Sequence, residues 1–160
     1  MDGLLFALTL ATALGCGLNG GVFFAFSSFV MPGLRRLPPA QGAATMQSIN
    51  VTAVTPPFML AFLGTGVACV VLGVWALLDW DGSYSPYLLA GTPLYLVGSI
   101  VLTRGYHVPR NDALDAVDAV SAEGARYWAR YLMEWTRLNH VRAAACLGAA
   151  ALLTVGLTGG

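Results

Sequence analysis

Four long apolar runs dominate the pattern along the chain, at about residues 4–31, 58–78, 87–103 and 139–157. Each is near or above the roughly 20 residues that a helix needs to cross a bilayer core. No period-two alternation marks barrel strands, so the runs predict four membrane-spanning α-helices. Pro56 and Pro57 punctuate the start of the second run, and Pro86 that of the third. The expected fold class is all-α: an integral membrane four-helix bundle, with the whole chain, 1–160, forming one four-span domain.

Two connections carry structure of their own. In the first, "AQGAATMQSINVTAV" lies between proline pairs and predicts one short helix at the interface or folded back on the bundle. In the third, Pro109 predicts a break in the third helix, and Asn111 or Asp112 suits the cap of a new one. Ala113, Leu114, Val117 and Val120 then mark a short amphipathic face. From about Ala125 the helical pattern runs on into the fourth span. One stripe of that helix carries Trp128, Tyr131, Trp135, Asn139 and Arg142. Arg130 and Glu134 form an i, i+4 pair on another face. His140 lies about 100° round from Asn139.

Composition agrees with a membrane chain. The sequence is 57% hydrophobic and 10% charged, against about 25% charged in soluble domains. Zero net charge leaves no basic field for nucleic acid. The chain has no Lys, and its Arg residues cluster. Arg35 and Arg36 lie in the first connection; Arg104, Arg110, Arg126, Arg130, Arg137 and Arg142 lie in or beside the third. The N-terminus, the C-terminus and the second connection, with Asp79 and Asp81, have none. The positive-inside rule then puts both Arg-bearing connections in the cytoplasm and both termini outside, in a bacterial-type inner or plasma membrane. No cation precedes the first run, which is too long for a cleaved signal, so it reads as an uncleaved span.

Polar groups inside the runs are few. Asn19 sits near the middle of the first span, where an unpaired amide is costly. It reads either as a hydrogen bond to another helix or as a ligand contact. Gly17 and Gly21 stand four apart, a face for close packing within the bundle or between copies in a homo-oligomer. Cys16, Cys69 and Cys146 each fall in an apolar run at no zinc-ligand spacing, so no metal site is expected. No His-Glu-x-x-His motif and no phosphate-cradling glycine loop occurs.

The chain's two histidines, His107 and His140, fall at the same end of spans three and four. Arg104, Tyr106, Arg110 and Asn111 accompany the first; Trp135, Asn139 and Arg142 accompany the second. An aromatic belt with snorkelling Arg explains Trp128 and Trp135 but not Asn139 and His140. A polar, aromatic-walled pocket at the inner rim of the bundle explains all of them.

The segments "FSSFVMPGL" (26–34), "MQSINVTAVTPPFM" (46–59), "HVPRNDAL" (107–114) and "WTRLNHVR" (135–142) resemble the anthrone oxygenase-like family of small four-span membrane proteins. The likeness covers nearly the whole chain. This sequence departs from the family pattern at His107, where Asn is expected, and at Thr55, before Pro56-Pro57-Phe58, where an Asn usually stands. The resemblance implies oxidation of an anthrone to an anthraquinone by O₂ as co-substrate, without another cofactor. The partner is then a lipophilic aromatic small molecule drawn from the bilayer.

Within that reading His140 is the expected base, since imidazole titrates near working pH. Arg142 and Arg110 are expected to stabilise the oxyanion, and Asn111 and Asn139 to orient the carbonyl. Trp128, Tyr131 and Trp135 would sandwich the polycycle, with His107, Asn50 and Asn19 as further substrate contacts. Two other readings remain. One is a haem held between His107 and His140. The other is a scaffold or carrier for a lipophilic molecule, with Asn19, Ser27, Ser28 and Asn50 as packing hydrogen bonds.

Overall fold

The computed structural model describes residues 1–80 and 82–159; Asp81 and Gly160 lie outside the described residues. Among those described, all regular structure is helical. Helix α1 spans Gly3–Arg35, α2 Pro39–Thr52, α3 Pro56–Leu78, α4 Ser85–Asp115 and α5 Ala122–Thr158. All but α2 are long and apolar enough to cross a membrane.

The starts follow from local chemistry. The carboxylate of Asp2 accepts the Leu5 N–H at 2.8 Å and caps α1. Prolines occupy the first turn of α2, α3 and α4, where a missing N–H costs nothing. Ser121 accepts the Gly124 N–H at 2.9 Å and caps α5. Rows of large apolar side chains stay exposed along the four long helices, among them Leu14, Leu18, Leu60, Val67, Val97 and Val101. Water would not tolerate such rows, whereas lipid does.

The four long helices pack in a ring: α1 against α3 and α5, α4 against α3 and α5. Two cores result. The first, centred on Cys16, Phe23, Phe62, Leu72, Tyr95, Cys146 and Leu153, fills the bundle. The second, centred on Met31, Met46, Leu114, Trp128 and Tyr131, lies where α2 and the start of α5 meet. At 1.5 Å per residue, the 37 residues of α5 give about 55 Å of helix, well beyond a hydrocarbon core of about 30 Å. The first turns of α5 therefore extend past the bundle, and α2 folds back on them. Gln47 of α2 pins this cap by donating to the carbonyls of Leu114 and Val117 at 2.8 and 3.0 Å.

One expectation needs correction, and a second narrows. Pro109 does not break the third helix. The stretch Thr103–His107 is wound as π-helix, and the Val108 N–H reaches back to the Thr103 carbonyl. The widened turn makes room for the proline ring, and Val108–Asp115 continues as α-helix. The helix of the third connection is thus the end of α4, and Val117 and Val120 lie in the turn after it. Of the two uses open to the Gly17/Gly21 face, packing inside the chain is not seen, since a Cβ added at either glycine would meet nothing within 4 Å. Close packing falls instead to Gly15 against Thr65, Gly20 against Leu147 and Gly98 against Ala145.

At Gly98 an added Cβ would run into the Cβ of Ala145. Neither atom has a free rotamer, so α4 and α5 would have to part. Gly98→Ala is expected to cost about 1–3 kcal/mol. Thermal unfolding in detergent, with Gly17→Ala as the silent control, checks this.

Candidate functional site

A polar cluster lies where the two cores meet, at the end of the bundle carrying the α1–α3 and α4–α5 connections. The stripe on α5 builds it. Trp128, Tyr131, Trp135, Asn139 and Arg142 are all buried, as one helical face directed inward must be. Tyr131 stacks on Trp128 at 5.7 Å and on Trp135 at 6.0 Å, giving a ladder of three rings. Asn111 of α4 ties the ladder down. Its Oδ1 accepts the Tyr131 hydroxyl at 2.8 Å and the Trp135 indole N–H at 3.0 Å. Trp128 is not a free wall: its indole nitrogen takes up the space that a Cβ on Gly42 of α2 would need.

Asn139 is fully used by the protein. Its amide donates to the Phe23 carbonyl and to Ser27 Oγ, both at 2.7 Å, and its Oδ1 accepts Nη1 of Arg142 at 3.3 Å. Ser27 lies in a second π-helical stretch, Phe26–Val30. Arg142 lies flat on the ring of Phe23, 3.7 Å from its centroid, and is 6% exposed. Its Nε has no partner, and among the described residues no carboxylate pairs with it. A buried guanidinium without an acid is expensive and marks function more often than structure.

His107 stands on the α4 side of the cluster, 1% exposed, its ring edge-on to Trp135 at 5.1 Å. Its Nδ1 lies 3.3 Å from the Leu102 carbonyl. A carbonyl can only accept; in the tautomer with the proton on Nδ1, Nε2 presents its lone pair. Nε2 is buried with no partner. Arg142 is within electrostatic reach of this ring.

Three of the expected site residues, His140, Arg110 and Asn19, lie elsewhere, and a fourth, Asn50, lies at the edge of the cluster. His140 is exposed on the outer face of α5. It follows Asn139 directly, so with Asn139 turned inward His140 must turn out by about 100°. His140 and His107 therefore do not face each other, and a haem iron would not find both. Arg110 sits at the rim, 3.2 Å from Glu134 and stacked on Tyr106, with the pair 30% and 42% exposed. Asn19 lies deeper in α1, where its amide donates to the Ala61 carbonyl of α3 at 3.2 Å. Asn50 of α2 lies beside the Tyr131 hydroxyl, on the cap side of the ladder. Phe23 and Phe26 were not singled out by the sequence pattern, and Ser27 was read only as a packing hydrogen bond. Only the serine pair in "FFAFSSF" offered a signal.

The cluster is closed. Surface depressions of about 520 and 400 Å³ lie beside Gln47 and Asp118 and beside Trp80 and Leu89, neither touching it. Helices α1 and α4 are π-wound beside the cluster, at Phe26–Val30, Leu96–Val101 and Thr103–His107. Such stretches are rare and are frequent at functional sites.

A family model described as anthrone oxygenase matches residues 58–152, more than half of the chain. The chain belongs to the anthrone oxygenase family. The matched region holds His107, Asn111, Trp135, Asn139 and Arg142, while Phe23 and Ser27 lie before it. No curated protein and no solved structure matches the chain significantly.

Proposed function

We propose that this anthrone oxygenase family member is a membrane enzyme that oxidises an anthrone-like polycyclic aromatic to a quinone with O₂ and no further cofactor. The observation that carries this reading is the pairing of an acid-free buried cation, Arg142, with a buried imidazole, His107, whose Nε2 is unengaged. Aromatic walls from Phe23, Phe26 and Trp135 enclose both. The base is His107 rather than His140.

The chemistry balances as methylene plus O₂ to carbonyl plus water. Nε2 of His107 takes one methylene proton, and the C–H electron pair moves through the ring onto the carbonyl oxygen facing Arg142. The electron-rich anion passes one electron to O₂. The carbon radical and superoxide combine into a peroxide anion, which recovers the proton from His107. The second C–H bond then breaks with the O–O bond. Its electron pair completes the new carbonyl, hydroxide leaves, and that hydroxide with the second proton makes water.

Such a substrate partitions into lipid, which accounts for a site inside a bundle. In this reading both Arg-bearing connections lie in the cytoplasm and the termini lie outside. Membranes containing the protein, supplied with a hydroxylated anthrone in air, are expected to form quinone with one O₂ consumed per quinone. Quinone absorbance and an oxygen electrode measure the two quantities. A rate equal to that of empty membranes would overturn the reading.

A further inference from the structure

The charge balance of the cluster says something about the ligand. Phe23 faces Arg142 from α1, Ser27 meets the neighbouring Asn139, and neither carries charge. His107 faces it from α4, as does Tyr95; on α5 itself the titratable neighbours are Tyr131 and Cys146. No carboxylate is among them, and the ion pair of the described residues, Arg110 with Glu134, sits apart at the rim. Asn139 holds Nη1 and leaves Nε unpartnered. The guanidinium is thus held in place, desolvated and uncompensated.

We propose that this site takes its ligand as an anion: a lipophilic aromatic with a hydroxyl or enol beside its carbonyl, ionised on binding against Arg142. The inference rests on the reading that the cluster is the substrate site, and it narrows the substrate class. A neutral hydrocarbon or a plain ketone would bury the cation a second time without satisfying it. An oxyanion completes the pair and gains a charge-assisted hydrogen bond from Nε. In the ionisation the ligand's O–H bond breaks, the electron pair stays on oxygen, and the proton goes to bulk solvent. His107 Nε2 then remains neutral and free for the methylene. By the same logic a hydroxylated quinone, the product class, binds in the same ionised form and inhibits.

The probe is 1,8-dihydroxyanthraquinone, which has no methylene and cannot turn over. Its ionised form absorbs at longer wavelength than its neutral form. It would be titrated with the purified full chain in detergent micelles, at a pH where the free dye is neutral, with empty micelles as reference. The expected result is a bound spectrum of the ionised dye, with the dye's midpoint of ionisation lowered by about two to three pH units. Arg142→Gln is expected to weaken binding about tenfold to a hundredfold and restore the neutral spectrum. Arg142→Lys, which keeps the charge, is expected to recover most of the red shift.

Dye bound with a neutral spectrum would overturn the inference and leave the oxygenase reading standing. The same holds for anthrone turnover without dye binding. If the wild-type protein neither binds the dye nor oxidises an anthrone, both fall together.

Discussion

His107→Gln is expected to lower the rate of quinone formation by about 10²–10⁴-fold, the range for loss of a positioned proton acceptor. His140→Ala is expected to leave the rate unchanged. The contrast follows from burial. His107 is 1% exposed with a buried, unpartnered Nε2, whereas His140 is exposed. Glutamine keeps a polar group of similar reach beside Trp135 and removes the basic lone pair. The loss should therefore fall on kcat, with KM little changed, because the walls and Arg142 are intact. Steady-state rates at saturating O₂, with thermal unfolding to confirm the fold, check both variants. Equal losses in the two, or a loss in His140→Ala alone, would return the proton-transfer role to His140.

The choice between the histidines shows where sequence reading stops. Periodicity placed Trp128, Tyr131, Trp135, Asn139 and Arg142 on one stripe, and all five are buried. The same periodicity sets His140 about 100° from that stripe. Motif proximity favoured it nonetheless, and geometry turns it out. The four spans were legible because a bilayer leaves few alternatives to long apolar helices. The short helix in the first connection was legible from its flanking prolines. The passage of α4 through Pro109 was not. It depends on the π-wound stretch before it, which no local propensity encodes. Arg110 read as a second cation for the site, but Glu134 on the facing helix holds it at the rim. Of the α1 residues in the site, Ser27 was legible as a packing hydrogen bond; Phe23 was not, because an apolar span does not announce which of its faces meets α5.

Arg142→Gln is expected to lower kcat/KM by about 10²–10³-fold, as removal of an oxyanion donor does elsewhere. At an effective dielectric of about 20, a charge pair at 4 Å is worth about 4 kcal/mol, the same order. The variant should not lose stability in proportion. In the free protein the guanidinium has no acid and an unpartnered Nε, so its burial is a cost carried by the fold. Glutamine removes that cost and can still donate to Oδ1 of Asn139. The melting temperature is therefore expected to hold or rise while activity falls, the signature of a residue kept for function against stability. A structural residue would behave in the opposite way. Loss of the Asn139 contact and of the stacking on Phe23 would lower the melting temperature by several degrees, and activity would fall only as far as folded protein was lost. Differential scanning of wild type and variant, read beside kcat/KM per folded molecule, separates the two. A large drop in melting temperature with normal activity per folded molecule would remove Arg142 from the chemistry and leave it as a clasp between α1 and α5.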